Sequence, residues 1–169
     1  MSAETIIALW KDARGGLIEE VERIPEDQFS FRATPDTRSV AEVLHHIIST
    51  QKIIVGEACR PDTNLRRQSF AAHANEYAPG VSEVNDKNGL LELLRSSMDE
   101  AATSINSYAD HLGDTMMGLT GQPLTKTAFL TFGLSHEMYH RGQLTVFERL
   151  LSIEPALTEK FRRLTASAG

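Results

Sequence analysis

Residues His136 to Leu144 read HEMYHRGQL, with two histidines four apart and a glutamate directly after the first. On a helix, side chains at i and i+4 lie on one face, so two imidazoles at this spacing can bind one metal ion together. The letters HExxH mark the zinc helix of many metalloproteases, where the glutamate is the general base. That chemistry needs a third, acidic ligand downstream. Glu148 lies eight residues past His140, roughly 12 Å further along the same helix. Glu154 and Glu159 come into range only if the chain folds back sharply at Pro155, and nothing in the sequence demands it. Glu137 is kept as a candidate catalytic base, with a supporting or solvent-facing role as the plainer alternative.

The third ligand must then come from elsewhere. The remaining histidines are His45, His46, His73 and His111. His136 and His140 interrupt an apolar stripe formed by Phe129, Phe132, Leu144 and Phe147, and two polar rings buried side by side cost free energy unless something satisfies both. A shared metal ion does so. His46 falls on the helical arc of Val43 and Ile53, whereas His45 falls nearer Ala41 and Lys52 at the polar edge. Both are candidates, and His46 is preferred. His73 and His111 sit in or beside connections and read as solvated or capping histidines. Three neutral imidazoles with an open position suit zinc, nickel or another divalent first-row ion.

The elements that must hold these residues are helices. Ile6, Trp10, Ala13, Leu17 and Val21 recur at helical spacing and predict a first helix over 3 to 23, stopped by Pro25. Ser39 to Glu42 forms a Ser-x-x-Glu capping box ahead of a second apolar stripe that runs to about 57. A third helix is expected over 87 to 112, a fourth over 125 to 153, and a short final one over 155 to 164. No alternating strand pattern is present. Between Cys59 and Asp86 the chain carries Pro61, Pro79 and Gly80, which predicts an irregular connection with at most a short helix around Ser69 to Ala74. A connection of that length is expected to help cover a site. The fold class is all-α, a four-helix bundle with a long connection between helices two and three that permits a crossover between non-neighbours.

Composition narrows the function. The 169 residues are 41% hydrophobic and 24% charged, which suits one domain spanning 1 to 169. The net charge of −6 and the scattered Lys and Arg residues argue against a nucleic-acid partner. No apolar run approaches the length of about 18 residues needed to span a membrane, and the N-terminus lacks the pattern of a signal peptide. A single cysteine, Cys59, fits a reducing cytoplasm.

Two stretches, SVAEVLHHI at 39 to 47 and HEMYHRGQL at 136 to 144, resemble the helix-two and helix-four motifs of the DinB/YfiT-like family of metal-binding four-helix bundles. The resemblance implies that His46, His136 and His140 bind one divalent metal ion and that the protein is a homodimer. Where the family often has tryptophan ahead of the helix-two motif, Arg38 stands nearby. Characterised members include transferases that join a low-molecular-weight thiol to an electrophile, and an isomerase that uses a thiol cofactor. The preferred expectation is therefore a metal-dependent S-transferase acting on a small-molecule substrate with a thiol co-substrate. The alternatives are a hydrolase in which the metal activates water, with Glu137 assisting, and a bundle in which the metal is purely structural. Arg141, Gln143 and Tyr139 flank the ligands and either orient substrate or pack.

Overall fold

Ser2, Ser39, Asp86 and Thr125 each accept a hydrogen bond from a backbone N–H three residues further on, and each starts a long helix. At Ser39 the capping box is complete, because the Glu42 carboxylate accepts in return from the Ser39 N–H at 2.9 Å. Caps of this kind are worth about 1 kcal/mol apiece and fix where the helical phase begins. In the computed structural model, which describes residues 1–166, the helices are α1 (Ala3–Arg23), α2 (Val40–Ala58), α3 (Phe70–Tyr77), α4 (Lys87–Ser107), α5 (Lys126–Leu150) and α6 (Ala156–Ala166). The long helices are α1, α2, α4 and α5. None of the helices is long and apolar enough to cross a membrane.

The expected third helix ends five residues early. Tyr108 closes α4 and the chain turns into a single 3-10 turn at Ala109–His111. The fourth stops at Leu150, where Ser152 adopts a left-handed φ of 61° and the Ile153 N–H bonds back to the Glu148 carbonyl at 2.8 Å. The expectation of no strands is corrected: Thr115–Met117 (β1) and Pro123–Thr125 (β2) pair antiparallel, with Thr115 opposite Thr125. Strands of three residues are too short to display an alternating pattern in the sequence.

Helices α1 and α2 each pack against both α4 and α5, so the order around the bundle is α1, α4, α2, α5. The long connection after α2 thus joins neighbours. The crossovers fall instead between α1 and α2 and between α4 and α5. The core is divided in two: Leu17, Val21, Leu44, Ile48, Leu94 and Leu144 are among one cluster, and Ile6, Trp10, Ile54, Ile105 and Leu130 are among the other. Arg14 and Glu137, both buried, link α1 to α5 at this level.

Candidate metal centre

One turn of α2 and two turns of α5 bring three imidazoles together. The Nε2 atom of His136 lies 3.1 Å from Nε2 of His46 and 3.1 Å from Nε2 of His140. His140 is buried, while His46 and His136 are half-buried. At metal–nitrogen lengths of about 2.0–2.1 Å, two ligands of a tetrahedral ion stand about 3.3 Å apart. Two edges of the triangle are close to that separation, and the ligand atoms of all three residues lie within 4.8 Å of one another.

Protons alone do not satisfy it. Gln143 Oε1 is an acceptor, so the Nδ1–H of His140 donates to it at 2.7 Å and leaves a lone pair on His140 Nε2. His136 Nε2 can give its one hydrogen to His140 or receive one from His46. Either choice leaves one of the two short contacts unbalanced. A cation among the three nitrogens balances all of them. The rings are also kept neutral, as ligands must be. Burial holds His46 and His136 down to about 4, with the Arg38 charge acting in the same direction on both, and burial lowers His140 too.

Among the described residues no fourth His, Cys, Asp or Glu joins the group. His45 is turned away, its Nε2 bonded to the Val84 carbonyl at 2.7 Å, where it ties α2 to the segment ahead of α4. His111 is exposed and paired with Asp114 at 3.2 Å. His73 corrects the expectation of a solvated residue: it is 2% exposed, stacked against Tyr77 and 3.4 Å from Glu57. It belongs to a network in which the Glu57 carboxylate accepts from Arg67 at 2.5 Å and from the Tyr77 hydroxyl at 2.7 Å. Glu57, His73 and Glu76 are a second group with metal-ligand spacing. Glu57 Oε1 and the Glu76 carboxylate are already engaged by Arg60 and Arg67, while Glu57 Oε2 is buried without a hydrogen bond.

Glu137 points away from the triangle. Its carboxylate accepts from Arg14 Nε at 2.6 Å, from Arg14 Nη2 at 2.8 Å and from Trp10 Nε1 at 2.6 Å. Arg14 Nη1 donates in turn to the Leu94 carbonyl at 2.6 Å and to Ser97 Oγ at 3.0 Å, so α1, α4 and α5 meet at one buried point. Trp10 reaches it over Gly133, where a Cβ would stand 2.6 Å from the indole. This anchor sets the rotation of α5 that turns His136 and His140 toward α2. Gln143, expected to orient substrate or to pack, bonds the His140 ring within α5, whereas Arg14 and Trp10 were not singled out as site residues in the sequence. The available signal was a charge, Arg14, between Trp10 and Leu17 on the apolar face of α1.

Arg141 leaves the site altogether and bonds Glu20 at 3.1 Å, passing over Gly16. Tyr139 is exposed and sets its ring edge-on to His140, 5.1 Å between centroids. Cys59 is pushed up to about 11 by burial, which keeps it a thiol.

Compared with known proteins, the chain matches the family model of the DinB superfamily over residues 9–144. No curated protein matches the sequence. Among solved structures, YfiT from Bacillus subtilis, described as a probable metal-dependent hydrolase with an unusual four-helix bundle topology, is similar at a TM-score of 0.69 and 18% identity, covering 90% of this chain and 89% of that one. A DinB-like protein from Bacillus cereus is similar at 0.68 and 15% identity, covering 91% and 95%. A mycothiol-dependent maleylpyruvate isomerase is similar at 0.63 and 10% identity, and there this chain covers 61% of the longer protein. At these identities the likeness is one of fold.

Proposed function

Because the chain belongs to the DinB superfamily, we propose that His46, His136 and His140 hold one divalent metal ion, zinc or nickel, and that the centre activates a low-molecular-weight thiol for transfer to an electrophile. The observation that carries this reading is the convergence of three Nε2 atoms, one of them fixed as a lone pair by Gln143. A bound divalent cation supplies a Lewis acid that lowers the pKa of a thiol or water at its open coordination position. The absence of a fourth protein ligand among the described residues supports an open position rather than a closed structural site.

The chain's own residues favour the thiol. Glu137, the acid of the motif, is occupied by Arg14 and Trp10, so it is not available to take a proton from the nucleophile. A thiol, with an ordinary pKa of about 8.5, needs less help in losing its proton than water does. Arg38 is exposed beside the triangle and has no hydrogen bond or ion pair among the described residues, so its charge favours an anionic sulfur or another anionic group there. Gln143 keeps the His140 ring in one tautomer and orientation. The second reading, hydrolysis at the same centre, is supported by the likeness to YfiT.

The test is elemental analysis of the purified protein, followed by assay of zinc- and nickel-loaded samples against a panel of thiols with electrophiles and a panel of esters and amides. Metal-dependent consumption of thiol with formation of a carbon–sulfur bond is expected. Turnover of esters or amides without thiol would replace the transferase reading by the hydrolase one. No turnover in either panel would remove both.

A further inference from the structure

One turn onward along α2 from His46 and one turn back along α5 from His136 lies a cavity of about 170 Å³. Ile53, Ile54, Leu65 and Phe129 form its interior, and His46 and His136 close one end. Phe70 of α3, Phe132 of α5 and Leu119 of the β1–β2 turn stand at its mouth, exposed by 53%, 53% and 64%. The other polar side chains in the wall are already engaged. His73 bonds Gln68 through Nδ1 and the Leu65 carbonyl through Nε2, and Thr50 faces His46 Nδ1 at 3.5 Å. The cavity thus offers hydrocarbon on all sides except the face that meets the histidines.

On the opposite side of the triangle the surroundings change character. The cleft there is lined by Thr37, Arg38 and Gln143 among others. That cleft holds charges of both signs, Asp36 and Arg38, beside apolar Val43, Val146 and Phe147, so the triangle stands between a cavity walled by hydrocarbon and a cleft of mixed character. A dry cavity of about 150 Å³ lined by Leu, Ile and Phe is large enough to take benzene.

We propose that this cavity seats a compact apolar group of the substrate, a phenyl ring or a branched chain of similar size, with the reacting atom placed at the histidine triangle. The proposal rests on the reading of the triangle as a metal centre. It assigns the substrate class: an electrophile with a small hydrocarbon group adjacent to the reacting atom. Exposed aromatic and aliphatic side chains around the mouth gain by being covered when such a group enters.

Two measurements separate this proposal from the metal reading. In the first, benzene is titrated into metal-free protein and methyl shifts of Ile53, Ile54 and Leu65 are followed by NMR. Saturable shifts at these residues, abolished in Ile53→Phe and weakened in the surface variant Phe132→Ala, are expected. Their absence in the parent protein overturns the proposal whether or not a metal binds. In the second, cobalt-loaded protein is titrated with benzohydroxamate and acetohydroxamate, which share one metal-binding head, and the cobalt absorption bands are read. Benzohydroxamate should bind on the order of 10- to 100-fold more tightly. Phe132→Ala should reduce that ratio several-fold with the bands of the ligand-free cobalt protein unchanged. Equal affinities overturn the proposal. Failure of the metal reading shows itself separately, as a lack of cobalt bands in the parent protein, and the benzene titration then decides the cavity alone.

Discussion

Arg14 and Glu137 meet through two parallel hydrogen bonds, Nε to Oε1 at 2.6 Å and Nη2 to Oε2 at 2.8 Å, with each side chain only 2% exposed. The pair joins α1 to α5 at the residue directly after His136. The glutamate of the HExxH pattern therefore acts on the helix that carries the histidines rather than on the space between them.

Removing one partner strands the other charge in the core. Glu137→Gln is expected to lower stability by about 3–5 kcal/mol, measured by urea unfolding. Replacing both residues, as Arg14→Met with Glu137→Leu, should recover much of that loss because no buried charge is left alone. An unaltered unfolding midpoint for Glu137→Gln would refute the anchoring role.

Metal content should divide the histidines cleanly. His46→Ala, His136→Ala and His140→Ala are each expected to lose the bound ion on desalting, whereas His45→Ala, whose ring bonds the Val84 carbonyl, should keep it. Gln143→Leu frees the His140 ring to turn and should weaken metal affinity about 10- to 100-fold. Undiminished metal in His46→Ala would show that the third ligand is a different residue.

The close approach of Trp10 to α5 depends on the missing side chain at Gly133. In Gly133→Ala the new methyl would stand 2.6 Å from Trp10 Cη2 and 3.0 Å from Ile54 Cγ2. A loss of about 1–3 kcal/mol is expected from this overpacking, read from thermal or chemical unfolding. A neutral substitution would mean that the indole moves freely, which its bond to Glu137 argues against.

Stability should also depend on pH through Glu148. Burial, with the Glu20 carboxylate beside it, pushes Glu148 from its ordinary 4.5 up to about 8, against the weaker pull of Arg23 and Arg149. Between these two values the folded chain keeps a proton that the unfolded chain has released, so stability falls as pH rises from about 4.5 to about 8. Glu148→Gln should flatten that slope and, at pH 8, exceed the parent in stability by an amount on the order of one to a few kcal/mol. Parallel pH–stability curves for the two proteins would exclude Glu148 as the cause.

The sequence carried the helices because capping residues and apolar periodicity are local properties: Ser39 with Glu42 marked the start of α2 to the residue. It also carried the i, i+4 pair and the grouping of His46, rather than His45, with that pair, since helical phase alone separates their faces. The β1–β2 hairpin was illegible because its strands are three residues long. The fate of Glu137 was illegible for another reason. Its partners, Trp10 and Arg14, lie more than a hundred positions away, and only the packing of α1 on α5 brings them together. His73 was misjudged for the same cause, being buried by α3 folding back against α2.

The small hairpin has one more consequence. Its first strand is stitched to the segment after α2, with the Leu65 N–H bonding the Met117 carbonyl at 3.1 Å and the Met117 N–H bonding the Thr63 carbonyl at 3.3 Å. Leu65 and Leu119, two walls of the apolar cavity, thus sit on a strip of backbone that is fastened to itself and contributes no ligand to the triangle. The cavity thus has a fixed part, Ile53, Ile54, Phe129 and Phe132 on the two helices that carry the histidines, and a part supplied by the connections, Leu65 and Leu119. Changes of bulk at Leu65 and Leu119 are expected to reshape the cavity while the three imidazoles stay where the bundle puts them.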